Sequence, residues 1–320
     1  MRDAQDRPSG LSGGRQRPLF GRVAIIGLGL MGGSLGLALR TGDAAGPLAR
    51  EVVGYDSAPG VAQRAVARGA LDVPAESLAE AVTAADLVVI ATPTLAAERT
   101  LREVASHLAP DVVVTDLCSV KAPLVAVASQ TLRQPERFVG GHPMAGRERA
   151  GIEAAAADLY CGARWALTPT PQTAPDALRQ LRALVEALGA EPLELDAVAH
   201  DAAVAGVSHL PLTLAVALTQ TLAEADDWPT MAQLAAGGYR DTTRVAAGDP
   251  VMGRDILLAN REALLARLDA FAEALARLRE AIAQGDATQI EATLGAAQTM
   301  RQAWEASRQQ PGVERKSRVP

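Results

Sequence analysis

From Arg22 to about Asp196, short β-branched and aliphatic runs alternate with stretches whose apolar positions recur every three or four residues. The short runs predict strands at Val23–Ile26, Val52–Tyr55, Leu87–Ala91, Val112–Asp116, Arg137–Gly140, Arg164–Thr168 and Pro192–Leu195. Between them, Met31–Arg40, Val61–Arg68, Leu95–Leu108 and Ala177–Leu188 carry helical periodicity. Such alternation predicts a parallel sheet with helices on both faces, since each crossover must carry the chain back over the sheet. After Asp196 the strand pattern stops. Ala197–Ala225, Val251–Ala259, Glu262–Gln284 and Thr288–Ser307 read as helices, with Pro211 expected to kink the first near His209.

Val23–Ile26 runs directly into Gly27-Leu28-Gly29-Leu30-Met31-Gly32, and a helical pattern follows at once. A GxGxxG turn between a strand and a helix is the mark of a dinucleotide site. Gly27 permits the tight turn, Gly29 lets the backbone approach a pyrophosphate, and Gly32 lets the helix pack against the strand. Leu30 and Met31 then open a helix whose free N–H groups and partial positive charge suit the phosphates. The second strand ends at Asp56, 24 residues after Gly32. A carboxylate there accepts hydrogen bonds from ribose hydroxyls and repels a 2′-phosphate, and Ser57 and Ala58 offer no counter-charge. NAD is therefore expected over NADP. The expected fold class is α/β: a Rossmann-type domain at residues 20–196, then an all-helical domain at 197–306. Polar stretches at 1–19 and 307–320 are expected to be disordered tails.

Composition narrows the partners. The 320 residues carry a net charge of −6 and only 3% aromatics, so nucleic acid, which needs a basic face or base-stacking platforms, is not an expected partner. No uninterrupted apolar run approaches the roughly 20 residues that span a bilayer. The longest candidate, Ala197–Leu218, is interrupted by His200, Asp201 and His209. Cys118 and Cys161 are too few for a disulfide framework or a paired zinc site, so no metal is expected. The N-terminal stretch has no apolar core to mark a signal peptide, which points to a cytoplasmic protein. Only two of the 31 basic residues are lysines, Lys121 and Lys316.

Two further strand ends are polar: Asp116-Leu117-Cys118-Ser119-Val120-Lys121 and Gly140-Gly141-His142-Pro143-Met144-Ala145-Gly146. Ligands of open α/β sheets bind beyond the carboxyl ends of strands, so both clusters should face the cofactor crevice. His142, set among glycines with little side-chain cover, suits a general base with a pKa near working pH. Lys121 is read as a structural partner of Asp116 or a group near the cofactor. Cys118 is read as a small buried filler.

With these stretches in hand, the chain resembles the prephenate and arogenate dehydrogenases of tyrosine biosynthesis. The resemblance rests on GLGLMGGSLGLAL, DLCSVK, GGHPMAGRERAG, RWALTP, HDAAVAGVSHLP and GYRDTTRVAAGDPVMGRDILLANRE, which span Arg22 to about Ala306. It implies an NAD-dependent oxidative decarboxylation of prephenate to 4-hydroxyphenylpyruvate, driven by aromatisation of the ring. It further implies that His142 accepts the hydroxyl proton and that Ser119 hydrogen-bonds this histidine and the hydroxyl. Arg244 is implied to bind a substrate carboxylate, and His209 to lie near the substrate. Relatives pair through the helical domain. The apolar face of Leu264, Leu265, Leu268, Phe271, Leu275, Leu278 and Ile282, together with the Ala-rich first helix, exceeds what a small helical domain buries alone, so a homodimer is expected.

The chain departs from the family pattern at two positions. Leu212 stands where SHLPH would place a second histidine, and Gly253 stands where MWRDI would place an aromatic. Both bear on the choice between prephenate and arogenate, which stays open here. The regulatory ACT domain that some relatives append is not expected after Pro320, nor a chorismate mutase domain before Arg22. Two rivals are weaker. The 3-hydroxyacid dehydrogenases share a GLGxMG loop but use a helical-domain lysine, and residues 197–306 contain none. A non-catalytic NAD-binding regulator would have no need of Ser119, His142 and Arg244 together.

Overall fold

The computed structural model describes residues 18–309 apart from 45 and 148. The expected tails lie largely outside the described residues. At their inner edges, Leu19 donates its N–H to Leu48 O, and the last helix continues to Gln309.

The first half alternates β1 (Phe20–Ile26), α1 (Leu30–Thr41), β2 (Ala49–Tyr55), α2 (Val61–Ala67), β3 (Val73–Pro74), α3 (Leu78–Val82) and β4 (Leu87–Ile90). It continues with α4 (Thr94–Val104), β5 (Val113–Asp116), α5 (Ala122–Thr131), β6 (Phe138–Pro143), β7 (Arg164–Thr168), α6 (Pro175–Ala187) and β8 (Glu191–Glu194). The eight strands form one sheet in the order β3-β2-β1-β4-β5-β6-β7-β8. The order reverses between β1 and β4, which opens the crevice where dinucleotides bind in such sheets. Two apolar layers cover it: Leu35, Leu39, Leu71 and Leu184 pack on one face, and Leu101, Val104, Leu124 and Phe138 on the other.

Not every pairing is parallel. β7 runs antiparallel to β6, with Gly141 opposite Leu167 and His142 opposite Ala166. No crossover helix separates the two strands, only a long connection with a short 3₁₀ turn at Ile152–Ala154. A strand reached without a crossover can return antiparallel, so the otherwise parallel sheet carries one antiparallel pairing. That connection lies against α1: Tyr160 donates its hydroxyl to Met31 O at 2.6 Å, and a Cβ on Gly33 would collide with Ile152 Cδ1.

The second half is all helix: α7 (Ala197–Val204), α8 (Leu210–Ala223), α9 (Trp228–Leu234), α10 (Gly237–Thr243), α11 (Pro250–Ala259), α12 (Arg261–Gln284) and α13 (Ala287–Gln309). A π-turn at Ala205–His209 joins α7 to α8. Pro211 in the first turn of α8 cannot donate backwards, and the ladder widens where a kink was expected. The combined helix, Ala197–Ala223, is 27 residues long and by length and composition alone could cross a membrane. Its polar residues argue for a protein environment, since His200, Asp201 and His209 are buried and hydrogen-bonded to protein groups.

Candidate active site

At the end of β1, Gly27 has φ +96°, and a Cβ there would lie 2.6 Å from Ala91 O. A Cβ on Gly32 would strike Gly27 O, so α1 can start this close to β1 only with glycine. Beside Gly29 the space is open, with nothing within 4 Å of an added Cβ. Leu30 and Met31 form the first residues of α1, and no side chain caps this end. Asp56 closes β2: its carboxylate accepts from Leu28 N and Ala58 N at 2.8 and 2.9 Å, while further lone pairs remain. Just beyond β4, the buried hydroxyl of Thr92 has no hydrogen-bond partner among the described residues. An open glycine turn, an uncapped helix start, a strand-end carboxylate and an orphaned hydroxyl together fit a dinucleotide.

The next two strand ends are locked together. Asp116, fully buried, accepts from Cys118 N at 2.9 Å, from Gly141 N at 3.1 Å and from the ammonium of Lys121. Lys121 Nζ also donates to Gly141 O at 2.7 Å. The structural reading of Lys121 is therefore the one the fold adopts, and breaking such a buried pair costs about 3–5 kcal/mol. Cys118 lies under the same cluster. Burial and the Asp116 carboxylate push its thiol far above the usual range, so it stays an unreactive filler.

His142 ends β6 half-buried above this cluster. Its Nδ1 lies 2.9 Å from Nε2 of His200, so it has more cover than the surrounding glycines suggested. Burial first, and then Lys121, His200 and His209, hold the imidazole well below the ordinary histidine range. It is neutral at physiological pH, and the expectation of a pKa near working pH moves downward accordingly. Ser119 is half-buried on the neighbouring loop, but no described residue hydrogen-bonds its hydroxyl. Beside His142 Nδ1 stands His200, which leaves Nε2 as the ring nitrogen a neighbouring hydroxyl could reach.

The helical half supplies the rest. His200 Nδ1 lies 2.7 Å from Asp201 Oδ1, and the Asp201 carboxylate accepts from Lys121 N and Ala122 N at 2.8 Å each. Asp201 thus caps the N-terminal end of α5 from the other half, a cap the local sequence does not supply. Asn260 Nδ2 donates to Asp201 O at 2.8 Å and sits 3.0 Å from His209 Nδ1. Because Nδ2 only donates, Nδ1 of His209 must accept, which puts the His209 proton on Nε2. Burial pushes this histidine down to about 4, so it is a neutral donor. Arg244 is exposed at the start of a 3₁₀ turn, Arg244–Ala247, that packs on α8.

His200, Asp201 and Asn260 were missed as site residues. The first two read only as polar breaks in an apolar helix, although an adjacent polar pair at the start of an Ala- and Val-rich stretch was the available signal. The two departures from the family pattern meet in space, with a Cβ on Gly253 placed 3.8 Å from Leu212 Cδ2. The two positions are neighbours in the fold.

Residues 36–193 match the family model described as prephenate dehydrogenase, nucleotide-binding domain, and residues 196–296 match prephenate dehydrogenase, dimerization domain. The chain belongs to the prephenate dehydrogenase family. It is 35% identical over 270 residues to the prephenate dehydrogenase of Bacillus subtilis (strain 168), covering 84% of this chain and 72% of that one. It is also similar to the structure of prephenate dehydrogenase from A. aeolicus in complex with hydroxyphenyl propionate and NAD+. The TM-score is 0.80 at 32% identity, over 88% of this chain and 98% of that one. A third likeness is the Synechocystis arogenate dehydrogenase structure, with a TM-score of 0.76 at 32% identity over 88% and 99% of the two chains. The chain is an NAD-dependent oxidoreductase of this family.

Proposed function

We infer that this chain catalyses the NAD-dependent oxidative decarboxylation of prephenate to 4-hydroxyphenylpyruvate. The observation that carries the reading is His142, half-buried and held neutral at the carboxyl end of β6. A neutral imidazole at that place accepts the hydroxyl proton as the O–H bond breaks. NAD, when bound, accepts the hydride from the hydroxyl-bearing carbon. The bond to the ring carboxylate then breaks, its electron pair enters the ring, CO₂ departs, and the aromatic ring's oxygen takes the proton back from His142. Gly27, Gly29, Leu30, Met31, Gly32 and Asp56 would hold the dinucleotide. Ser119 would orient the hydroxyl. His209, a neutral Nε2–H donor, would hydrogen-bond the substrate, and Arg244 would pair with a carboxylate through its planar fork.

Residues 20–196 would act as the cofactor domain and 197–306 as the substrate and pairing domain. The exposed apolar side chains of Leu265, Leu275 and Ile282 on α12 support a homodimer through the helical half. The hydrogen-bonded polar residues of the 197–223 helix support a cytoplasmic enzyme. A second substrate reading, arogenate or both compounds, is favoured by the joined Leu212–Gly253 wall and by the likeness to an arogenate dehydrogenase. Steady-state rates with prephenate and arogenate, each with NAD and NADP, test the substrate and cofactor assignments. Fastest turnover with prephenate and NAD is expected. No reduction of either cofactor with either substrate would overturn the assignment.

A further inference from the structure

Behind His142 stand two residues that the proton-accepting role alone does not use. His200 and Asp201 are 2% and 5% exposed and belong to α7, whereas His142 ends β6. The contacts run in line: Asp201 Oδ1 to His200 Nδ1 at 2.7 Å, then His200 Nε2 to His142 Nδ1 at 2.9 Å. Asp201 cannot swing away, because Lys121 N and Ala122 N each hold one of its oxygens at 2.8 Å. Lys121 and His209 are the other titratable groups around the His142–His200 pair, and Lys121 is engaged by Asp116 and Gly141 O.

The donor inventory fixes the protons. An ionised carboxylate only accepts, so Nδ1 of His200 carries the hydrogen that fills the 2.7 Å contact. With that one ring hydrogen, His200 has its lone pair on Nε2. The hydrogen across the 2.9 Å gap must come from His142 Nδ1, which leaves Nε2 of His142 unprotonated. Without this arrangement His142 could place its proton on Nε2, the commoner form of a free histidine side chain, and would have no base to offer on that side.

We propose that His200 and Asp201 are positioning residues. Asp201 sets the tautomer of His200, His200 sets that of His142, and His142 thereby presents a bare Nε2 to the substrate hydroxyl. When that nitrogen takes the proton, the new imidazolium keeps its Nδ1–H bond to His200. The proposal rests on the reading of His142 as the base and extends it, because the base is set only when α7 is docked on β6 and α5. The logic is that of a carboxylate that orients a catalytic histidine without itself taking the proton.

The test uses the full chain labelled with ¹⁵N-histidine, since its four histidines give a readable long-range ¹H–¹⁵N spectrum. The expected wild-type spectrum has His142 and His200 both as Nδ1–H tautomers at neutral pH. His200→Phe removes the acceptor and should lower kcat by about 10–100-fold, the range for loss of an orienting partner, with the KM for NAD unchanged. His200→Gln can accept from His142 through its amide oxygen and should recover most of that loss. A wild-type His142 protonated on Nε2, a doubly protonated His200, or a Gln variant as impaired as the Phe variant would overturn the proposal. The wild-type spectrum and the Gln variant decide the matter even where the Phe variant fails to fold. Failure of the base assignment itself looks different: His142→Asn would then keep near-normal kcat while the tautomers stood as described.

Discussion

The dinucleotide half of the chain buries its own apolar side chains, and the helical half leaves many of its own uncovered. Both large core clusters draw only on residues up to Ala190. Of the large apolar residues left exposed, all but Leu95, Met144 and Leu193 lie beyond Asp196 among the described residues. On α12 only Leu264 and Ala281 are buried, and on α13 Leu294, Met300 and Trp304 are open. A sheet with helices on both faces closes around its own core, whereas an array of long helices with an open apolar face asks for a second layer. The candidate site sits on the seam, with His142 on the closed half and His200 and Asp201 on the open one.

Perturbing the two halves should therefore give different kinds of damage. The largest effect on the single chain is expected from Lys121→Met, which strands the Asp116 carboxylate under β5 and β6. Denaturant unfolding should show a loss of about 3–5 kcal/mol. A loss under about 1 kcal/mol, the scale of an exposed pair, would mean that the two strand ends are not held together this way. Arg244→Gln should leave the fold intact and raise the substrate KM by a factor equivalent to about 2–4 kcal/mol, with kcat much less affected. The reverse pattern would place Arg244 in the chemical step.

Substitutions on the open face should hardly touch the chain and still alter the assembly. Leu275→Glu combined with Ile282→Glu should halve the mass by light scattering at micromolar concentration, with NAD affinity preserved. As changes of exposed residues, each should shift single-chain stability by no more than about 0.5 kcal/mol. A wild-type monomer would remove the basis of the comparison. The smallest effect concerns the wall shared by Leu212 and Gly253. Leu212→His should raise the prephenate-to-arogenate ratio of kcat/KM by about 1–2 kcal/mol equivalent, as one added polar contact does. Gly253→Trp should modify that gain because the two positions touch. Strict additivity would separate them.

What could be read beforehand follows the same divide. The aliphatic run Leu87–Ile90 of β4 and the Gly27–Gly32 turn carry their structure locally, so the strands and the cofactor crevice were legible. The direction of β7 was not, because a strand reads the same whether it pairs parallel or antiparallel. β3 has two residues, too few for any period, and α9 and α10 have seven each, broken by Pro and Gly. Within the site, His142 was visible from its glycine-rich setting. Its partners were not, since His200 and Asp201 lie 58 and 59 residues further on and meet it only through tertiary packing. The depressed pKa of His142 has the same origin, because desolvation belongs to the folded surroundings and not to the local sequence.

The most direct test of the account is the pH profile of kcat/KM with prephenate and NAD for the wild type and His142→Asn. A base must be neutral to act, so activity falls as pH drops through its pKa. With that pKa held down by burial, the wild-type acidic limb should lie below the ordinary histidine value of about 6.5. The Asn variant should lose this limb and about 10²–10⁴ in kcat, with KM little changed. An unchanged limb in a variant with near-normal kcat would contradict the account.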